Sequence, residues 1–211
     1  MENITLEYTS PVSDFNQNKF MVLQRLRFET RSAHEQLEKN IDLLGRAWTM
    51  EFYRDLLEKF YGFYSIIEPP IFAHLQWEQV GINVDERRKT YSLSQDLEFI
   101  GLGSQEIARL PHCKSAPIAG TFPQALGCAY VLEGSTLGGQ VITRHLRRQL
   151  GVKPGYGATF FTSYGPDISS KWRDFTNVLN SCEFSEADED MLVQYACNTF
   201  STFDHWLRDL L

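Results

Sequence analysis

Tyr130-Val-Leu-Glu-Gly-Ser-Thr-Leu-Gly-Gly-Gln-Val-Ile142 combines helical apolar spacing with a cluster of glycines. It lies within an apolar segment of helical period, yet it holds three glycines, Gly134, Gly138 and Gly139. Each costs a helix interior about 1 kcal/mol relative to alanine. Gly134 and Gly138 are four apart, so on a helix they strip one face down to backbone. That face is open either to another helix at close range, as in small-xxx-small contacts, or to something flat.

The helix carrying this segment starts at Thr121-Phe-Pro-Gln124, where Thr121 caps, Gln124 reciprocates and Pro123 sits in the first turn. It runs to Leu150-Gly151. Upstream, Phe20 to Lys39 has apolar residues at helical spacing. A second helix begins at the N-cap Thr49 and is expected to end at Pro69-Pro70, since proline disfavours a helical residue before it and lacks a donor. Ile71 to Val80 reads as a shorter continuation in a new direction, and Asp85 to Ile100 as an amphipathic helix broken by Gly101-Leu-Gly103. His112 to Ala119 reads as a loop, and Lys153 to Gly165 as loop-rich with a short aromatic run. Asp167 to Ser181 is helical, and Ser185-Glu-Ala-Asp188 is a capping box for a last helix towards Leu211. The expectation is an all-α chain: one domain of seven or eight helices over 19–211, after a polar tail or arm over 1–18.

Composition narrows the function. The 211 residues are 43% hydrophobic, and no window approaches the roughly 18 consecutive apolar residues of a membrane span. The N-terminus lacks the basic-then-apolar pattern of a signal peptide, so a cytoplasmic location is expected. A net charge of −7 argues against nucleic acid. Cys113, Cys128, Cys182 and Cys197 are scattered without a CxxC pair, which reads as free thiols. Arg144, His145, Arg147, Arg148 and Lys153 form a local basic cluster, either a solvated helix end or a docking patch for an acidic protein.

Among five histidines, His34 stands out. At about 100° per residue it lies close to the line of Leu23, Thr30, Leu37 and Ile41, on the apolar face of the first helix. An imidazole there uses its nitrogens in hydrogen bonds or on a metal. Glu35 and Glu38 are expected on other faces, in solvent. His74 and His112 are expected to face solvent, His145 belongs to the basic cluster, and His205 caps or pairs on the last helix. No Glu-x-x-His motif is present, so a ferritin-like di-iron site is poorly supported. An inward histidine on one helix and a glycine-opened face on another would make a slot for a flat macrocycle.

Thr30-Arg-Ser-Ala-His34-Glu-Gln-Leu-Glu38 resembles the proximal-histidine segment of heme oxygenases, and Tyr130 to Gln140 resembles their distal helix, particularly in bacterial members that accompany phytochromes. The similarity spans roughly Met21 to Leu211, including Tyr164-Gly165, Trp172-Arg173 and the stretch from Thr199-Phe200 to Trp206-Leu207. The resemblance implies an all-α fold with haem sandwiched between the first (proximal) helix and a kinked, glycine-rich distal helix. It implies cleavage of haem b to biliverdin, carbon monoxide and ferrous iron, using dioxygen and electrons from a ferredoxin or reductase. The basic cluster at Arg144, Arg147, Arg148 and Lys153 would dock that donor, and a phytochrome would accept biliverdin.

The resemblance assigns His34 as iron ligand and Gly134, Gly138 and Gly139 as the backbone face over the haem. It places Arg27, seven residues before His34, at a propionate, with Arg173 as a second such position. Tyr130 would contact the haem edge or a propionate, and Phe200 and Phe203 would wall the pocket. Mammalian-type members carry an aspartate directly after the first distal glycine; this chain has Ser135 there, a hydroxyl that donates and accepts but carries no charge. Two alternatives follow: a haem carrier or sensor of the same fold that leaves its ligand intact, and a thiaminase-like hydrolase built on Cys128 with Glu133 nearby.

Overall fold

The computed structural model describes residues 21–210. The tail or arm over 1–18 and the last residue lie outside the described residues. Ten α-helices follow in order: α1 Met21–Ile41, α2 Met50–Ile71, α3 Gln76–Gln79, α4 Thr90–Phe99, α5 Ser104–Ile107, α6 Phe122–Ser135, α7 Gly139–Leu150, α8 Thr159–Thr162, α9 Ile168–Ser181 and α10 Glu186–Leu207. Three are single turns of four residues, among them α3, which is all the helix found in the stretch expected to continue from Ile71 to Val80. No strand occurs among the described residues.

Local chemistry sets several boundaries where the sequence places them. Thr49 accepts from the Phe52 amide at the start of α2, and Ser185 and Asp188 exchange bonds at the start of α10. Gly151, at φ +72°, closes α7 with a bond to the Arg147 carbonyl.

Tertiary contacts override the sequence elsewhere. α2 runs through Pro69 and Pro70 to Ile71 instead of stopping there. Ile67 and Ile71 are fully buried, and Glu68 between them is pinned by its carboxylate, which accepts from the Lys89 amide at 2.5 Å and from the Thr90 amide and hydroxyl at 3.1 and 2.6 Å. The same carboxylate starts α4 at Thr90, five residues later than Asp85, by satisfying its first amides from another helix. The aromatic run after Lys153 contains a helical turn, α8, whose first amides, Thr159 and Phe160, both bond the buried Asp96 at 2.8 Å. The helix expected from Thr121 to Leu150 is two helices, α6 and α7, joined by a 3-10 turn over Thr136–Gly138.

α10 packs on α6 and α1, while α2 packs on α4 and α6. Gly127 permits the closest of these approaches, since a Cβ there would collide with the Leu192 carbonyl of α10. Between α2, α8 and α10 sits an aromatic cluster: Phe63 and Phe203 rings lie 4.4 Å apart, Phe60 and Phe203 4.9 Å, Tyr64 and Phe160 5.2 Å. This cluster forms the floor of the site.

Candidate active site

A cavity of about 830 Å³ opens between α1 and the α6–α7 junction, within the roughly 300–1,000 Å³ of small-molecule pockets. α1 lines one side with Arg27, Thr30, Arg31, His34 and Leu37. Tyr130, Gly134, Ser135 and Gly138 line the other, with Phe60, Tyr64, Phe160 and Phe203 beneath. Trp172 and Phe200 close the flanks.

His34 faces this cavity and is not sealed in the core; its side chain is 51% exposed. Its ring lies 5.4 Å from that of Phe200. One ring nitrogen, Nε2, is 3.3 Å from Glu38 Oε1, and the other has no protein partner among the described residues. Glu38 is exposed as expected, yet it shares the face of His34 and borders the cavity, because residues four apart meet on a helix. Glu35 points to solvent and pairs with Arg31 at 2.7 Å.

The three glycines divide by surroundings. A Cβ on Gly139 would collide with the Phe161 carbonyl, so this glycine serves the packing of α7 on α8. A Cβ on Gly134 would touch the Trp172 ring at 3.7 Å, an ordinary contact. A Cβ on Gly138 would meet nothing within 4 Å and would project into open space. Close backbone packing thus falls on Gly139, while the face of Gly134 and Gly138 borders the cavity.

Ser135 is engaged twice. Its hydroxyl donates to the Leu132 carbonyl at 2.8 Å and lies 3.3 Å from the Tyr64 phenol. Tyr64 is 1% exposed, and burial pushes its phenol well above the usual range. Sequence reading missed Tyr64, because its role depends on α2 passing beneath the glycine turn.

Behind that turn lies a buried polar set, also missed. Arg87 Nη1 donates to Glu133 Oε2 at 2.6 Å and to the Lys171 carbonyl at 3.1 Å, and Tyr164 donates to Glu133 Oε1 at 2.7 Å. Lys89, 5% exposed, lines the cavity beside them.

Of the other expected residues, Tyr130 lines the cavity with its ring 5.7 Å from that of Trp172. Burial raises its phenol, while Thr30 and Arg27 act in the opposite sense. Arg27, Phe200 and Phe203 also line the cavity; Arg173 is exposed on α9 and does not. A second guanidinium on the wall is instead that of Arg31, one turn along α1 from Arg27. His112 is exposed and 3.1 Å from the Ser65 hydroxyl, whereas His74 is half-buried and bonded to the Ala119 carbonyl at 3.2 Å. His205 is exposed, outside the cavity wall. Cys128 is fully buried, its thiol pushed up to about 11 by burial, and Glu133 is occupied by Arg87 and Tyr164. That arrangement contains no activated cysteine. Among the described residues, no three His, Cys, Asp or Glu side chains cluster to hold a metal, and no helix is long and apolar enough to cross a membrane. Arg144, Arg147, Arg148 and Lys153 are all exposed, and α7 leads to the first three from the cavity-lining Leu137, Val141 and Ile142.

Comparison with known proteins follows this geometry. The family model for heme oxygenase matches residues 21–209. Similar solved structures include a heme oxygenase from Neisseria meningitidis, described with NO and CO bound, at 18% identity and TM-score 0.74, covering 90% of this chain and 91% of that one. A heme oxygenase from Leptospira interrogans gives 19% identity and TM-score 0.75 over 89% and 98% of the two chains. Heme oxygenase-2 from Synechocystis sp. PCC 6803, in complex with heme and NO, gives 23% and 0.71 over 90% and 84%. No curated protein matches the chain.

Proposed function

The chain belongs to the heme oxygenase family, and on that premise we propose that it opens haem b, with dioxygen and external electrons, to biliverdin, carbon monoxide and ferrous iron. The observation that carries this reading is the pairing, across one cavity, of His34 with the bare backbone of Gly138. Haem fits the residues present: a histidine nitrogen without a protein partner among the described residues, an open space where a Cβ would project, and two guanidiniums of α1 on the wall for carboxylates, Arg27 and Arg31, the latter also paired with Glu35. When bound, haem supplies the iron that activates dioxygen and the porphyrin edge that is oxidised, so it is cofactor and substrate together.

The chain's own residues supply the rest. His34 would hold the metal through one nitrogen, while Glu38, 3.3 Å from Nε2, would orient the ring through the other. Arg27 and Arg31 pair with the propionates, and Tyr130 borders them. Gly134 and Gly138 would leave room on the distal wall for a flat group. The aromatic floor excludes bulk water, and Tyr64 with Ser135 offers the lone pairs that order the water that remains. The basic face of α7 docks an acidic donor, a ferredoxin or reductase, beside the cavity mouth. A phytochrome is the proposed acceptor of biliverdin, and the cytoplasm the proposed compartment.

The test is the visible spectrum of the haem complex in air with ascorbate or ferredoxin. Loss of the Soret band with growth of biliverdin absorbance is expected. A stable spectrum would mark the chain as a haem carrier or sensor.

A further inference from the structure

We propose that Lys89 is the ionisable proton source of the distal cavity, feeding the water that Tyr64 and Ser135 order. The proposal rests on the heme oxygenase reading and deepens it. Ser135 is neutral, and its one proton is committed to the Leu132 carbonyl, so the pair offers lone pairs that anchor cavity water and supplies no proton of its own. Lys89 is the group nearby that can store one.

Its surroundings are specific. The side chain is buried, at 5% exposure, yet it lines the same cavity as Tyr64 and Ser135. An ammonium has three N–H donors. One goes to the Arg87 carbonyl at 2.9 Å, and the nitrogen sits 3.7 Å over the Tyr164 ring. No further acceptor is found among the described residues, so cavity water is the partner left. Among the described residues, no carboxylate lies within ion-pair distance of the ammonium. Glu68 of α2 is spent on the Lys89 amide and on Thr90, and Glu133 of α6 on Arg87 and Tyr164. Both raise the Lys89 affinity for protons from a distance, while Arg87 and Lys171 of α9 lower it. Burial outweighs them and brings the ammonium from 10.5 to about 8. The group therefore releases and regains a proton near neutral pH.

In each transfer one Lys89 N–H bond breaks and one water O–H bond forms. The relayed proton reaches the dioxygen under reduction, whose electrons come from the external donor. Lys89 is left as a neutral amine and is reloaded from solvent.

Two measurements test this on the full-length protein. First, the Lys89 side-chain carbon shift is followed against pH in haem-free, lysine-labelled protein, with the resonance assigned by its loss in Lys89→Met. A midpoint near 8 is expected; a midpoint near 10.5 overturns the proposal. Second, the pH profile of ring opening is compared for wild type, Lys89→Met and Lys89→Arg, each checked for folding by its melting curve. Wild type should slow as pH rises through about 8, whereas both variants should be about tenfold slower at pH 7 and lose that limb. Arginine keeps the charge but does not release a proton at these pH values. Recovery of the wild-type rate by Lys89→Arg, or an unchanged limb in Lys89→Met, means a structural role and overturns the proposal. A wild type that opens no haem at any pH instead overturns the functional reading itself, and Lys89 then has no turnover to serve.

Discussion

The Tyr64 phenol lies 3.3 Å from the Ser135 hydroxyl, and Tyr64 is the donor of that pair. Serine has a single proton, and Ser135 gives it to the Leu132 carbonyl at 2.8 Å. Burial keeps the phenol protonated across the working pH range. A tyrosine from α2 thus stands behind the position where mammalian-type relatives carry an aspartate. Ser135→Ala should slow ring opening modestly, about threefold, and Tyr64→Phe about tenfold. Ser135→Asp should stay active. Single-turnover biliverdin formation in light and heavy water checks this. A Ser135→Ala protein with the wild-type rate and isotope effect would remove the pair from proton delivery.

His34→Ala should abolish turnover and change the ligation of iron in the ferric spectrum. The histidine reaches the cavity with one nitrogen free of protein partners, so nothing else on α1 substitutes for it. Added imidazole should restore part of the spectrum, because the removed ring leaves room for it. Unchanged axial ligation in the variant would sink the assignment.

Gly138 and Gly139 should respond in opposite ways to a methyl group. Both have ordinary helical backbone angles, φ −77° and −57°, so alanine is conformationally allowed at each. Gly138→Ala adds its methyl to open space; stability should hold or rise by about 0.5 kcal/mol, while ring opening slows far more than haem binding weakens. Gly139→Ala collides with the Phe161 carbonyl and should cost about 1–3 kcal/mol. Thermal melts and single-turnover rates on both proteins separate the roles. Equal effects on melting temperature would show that neither glycine is tied to the cavity.

How much of this was legible in the sequence depends on the range of the interaction. Caps at Thr49, Thr121 and Ser185 are local, and the helices start there. The periodicity placing His34 with Thr30 and Leu37 is local too, and all three line the cavity. Glu38 is in solvent as the sequence leads one to expect, but on the face of His34, where the i,i+4 rule brings it. The extension of α2 through two prolines and the late start of α4 have a single cause, the Glu68 carboxylate, which ties residues about twenty apart. Tyr64, Arg87 and Lys89 carry no local signal, since each acquires its role from a helix distant in sequence. Gly139 could not be told from Gly138 because the 3-10 turn rotates them onto different neighbours.

The cysteines should divide by exposure. Cys113 and Cys128 are buried, whereas Cys182 and Cys197 are partly exposed. Burial pushes the Cys128 thiol to about 11, so thiolate is scarce at pH 8. Iodoacetamide at pH 8 should label Cys182 and Cys197, slowly, and spare Cys113 and Cys128 until the protein is unfolded. Peptide mass spectrometry reads the order. Rapid labelling of Cys128 in the native protein would reopen the nucleophilic reading of that residue.

The Arg87–Glu133 pair should be the costliest to break from one side. Both side chains are under 5% exposed and meet at 2.6 Å. Arg87→Met leaves Glu133 as a buried carboxylate with only the Tyr164 hydroxyl, and should cost about 3–5 kcal/mol. Glu133→Gln keeps an acceptor for Arg87 and should cost less. Arg87 Nε is buried without an acceptor, so the guanidinium is itself imperfectly satisfied. Replacing both residues, as Arg87→Met with Glu133→Leu, should therefore recover a large part of the stability lost in Arg87→Met alone. Denaturant unfolding of the four proteins closes the cycle. Glu133 immediately precedes Gly134, so the double variant should be stable yet slow in ring opening, its distal turn no longer held against Arg87. If Arg87→Met unfolds within about 1 kcal/mol of wild type, the usual size of a surface pair, the pair does not hold the turn.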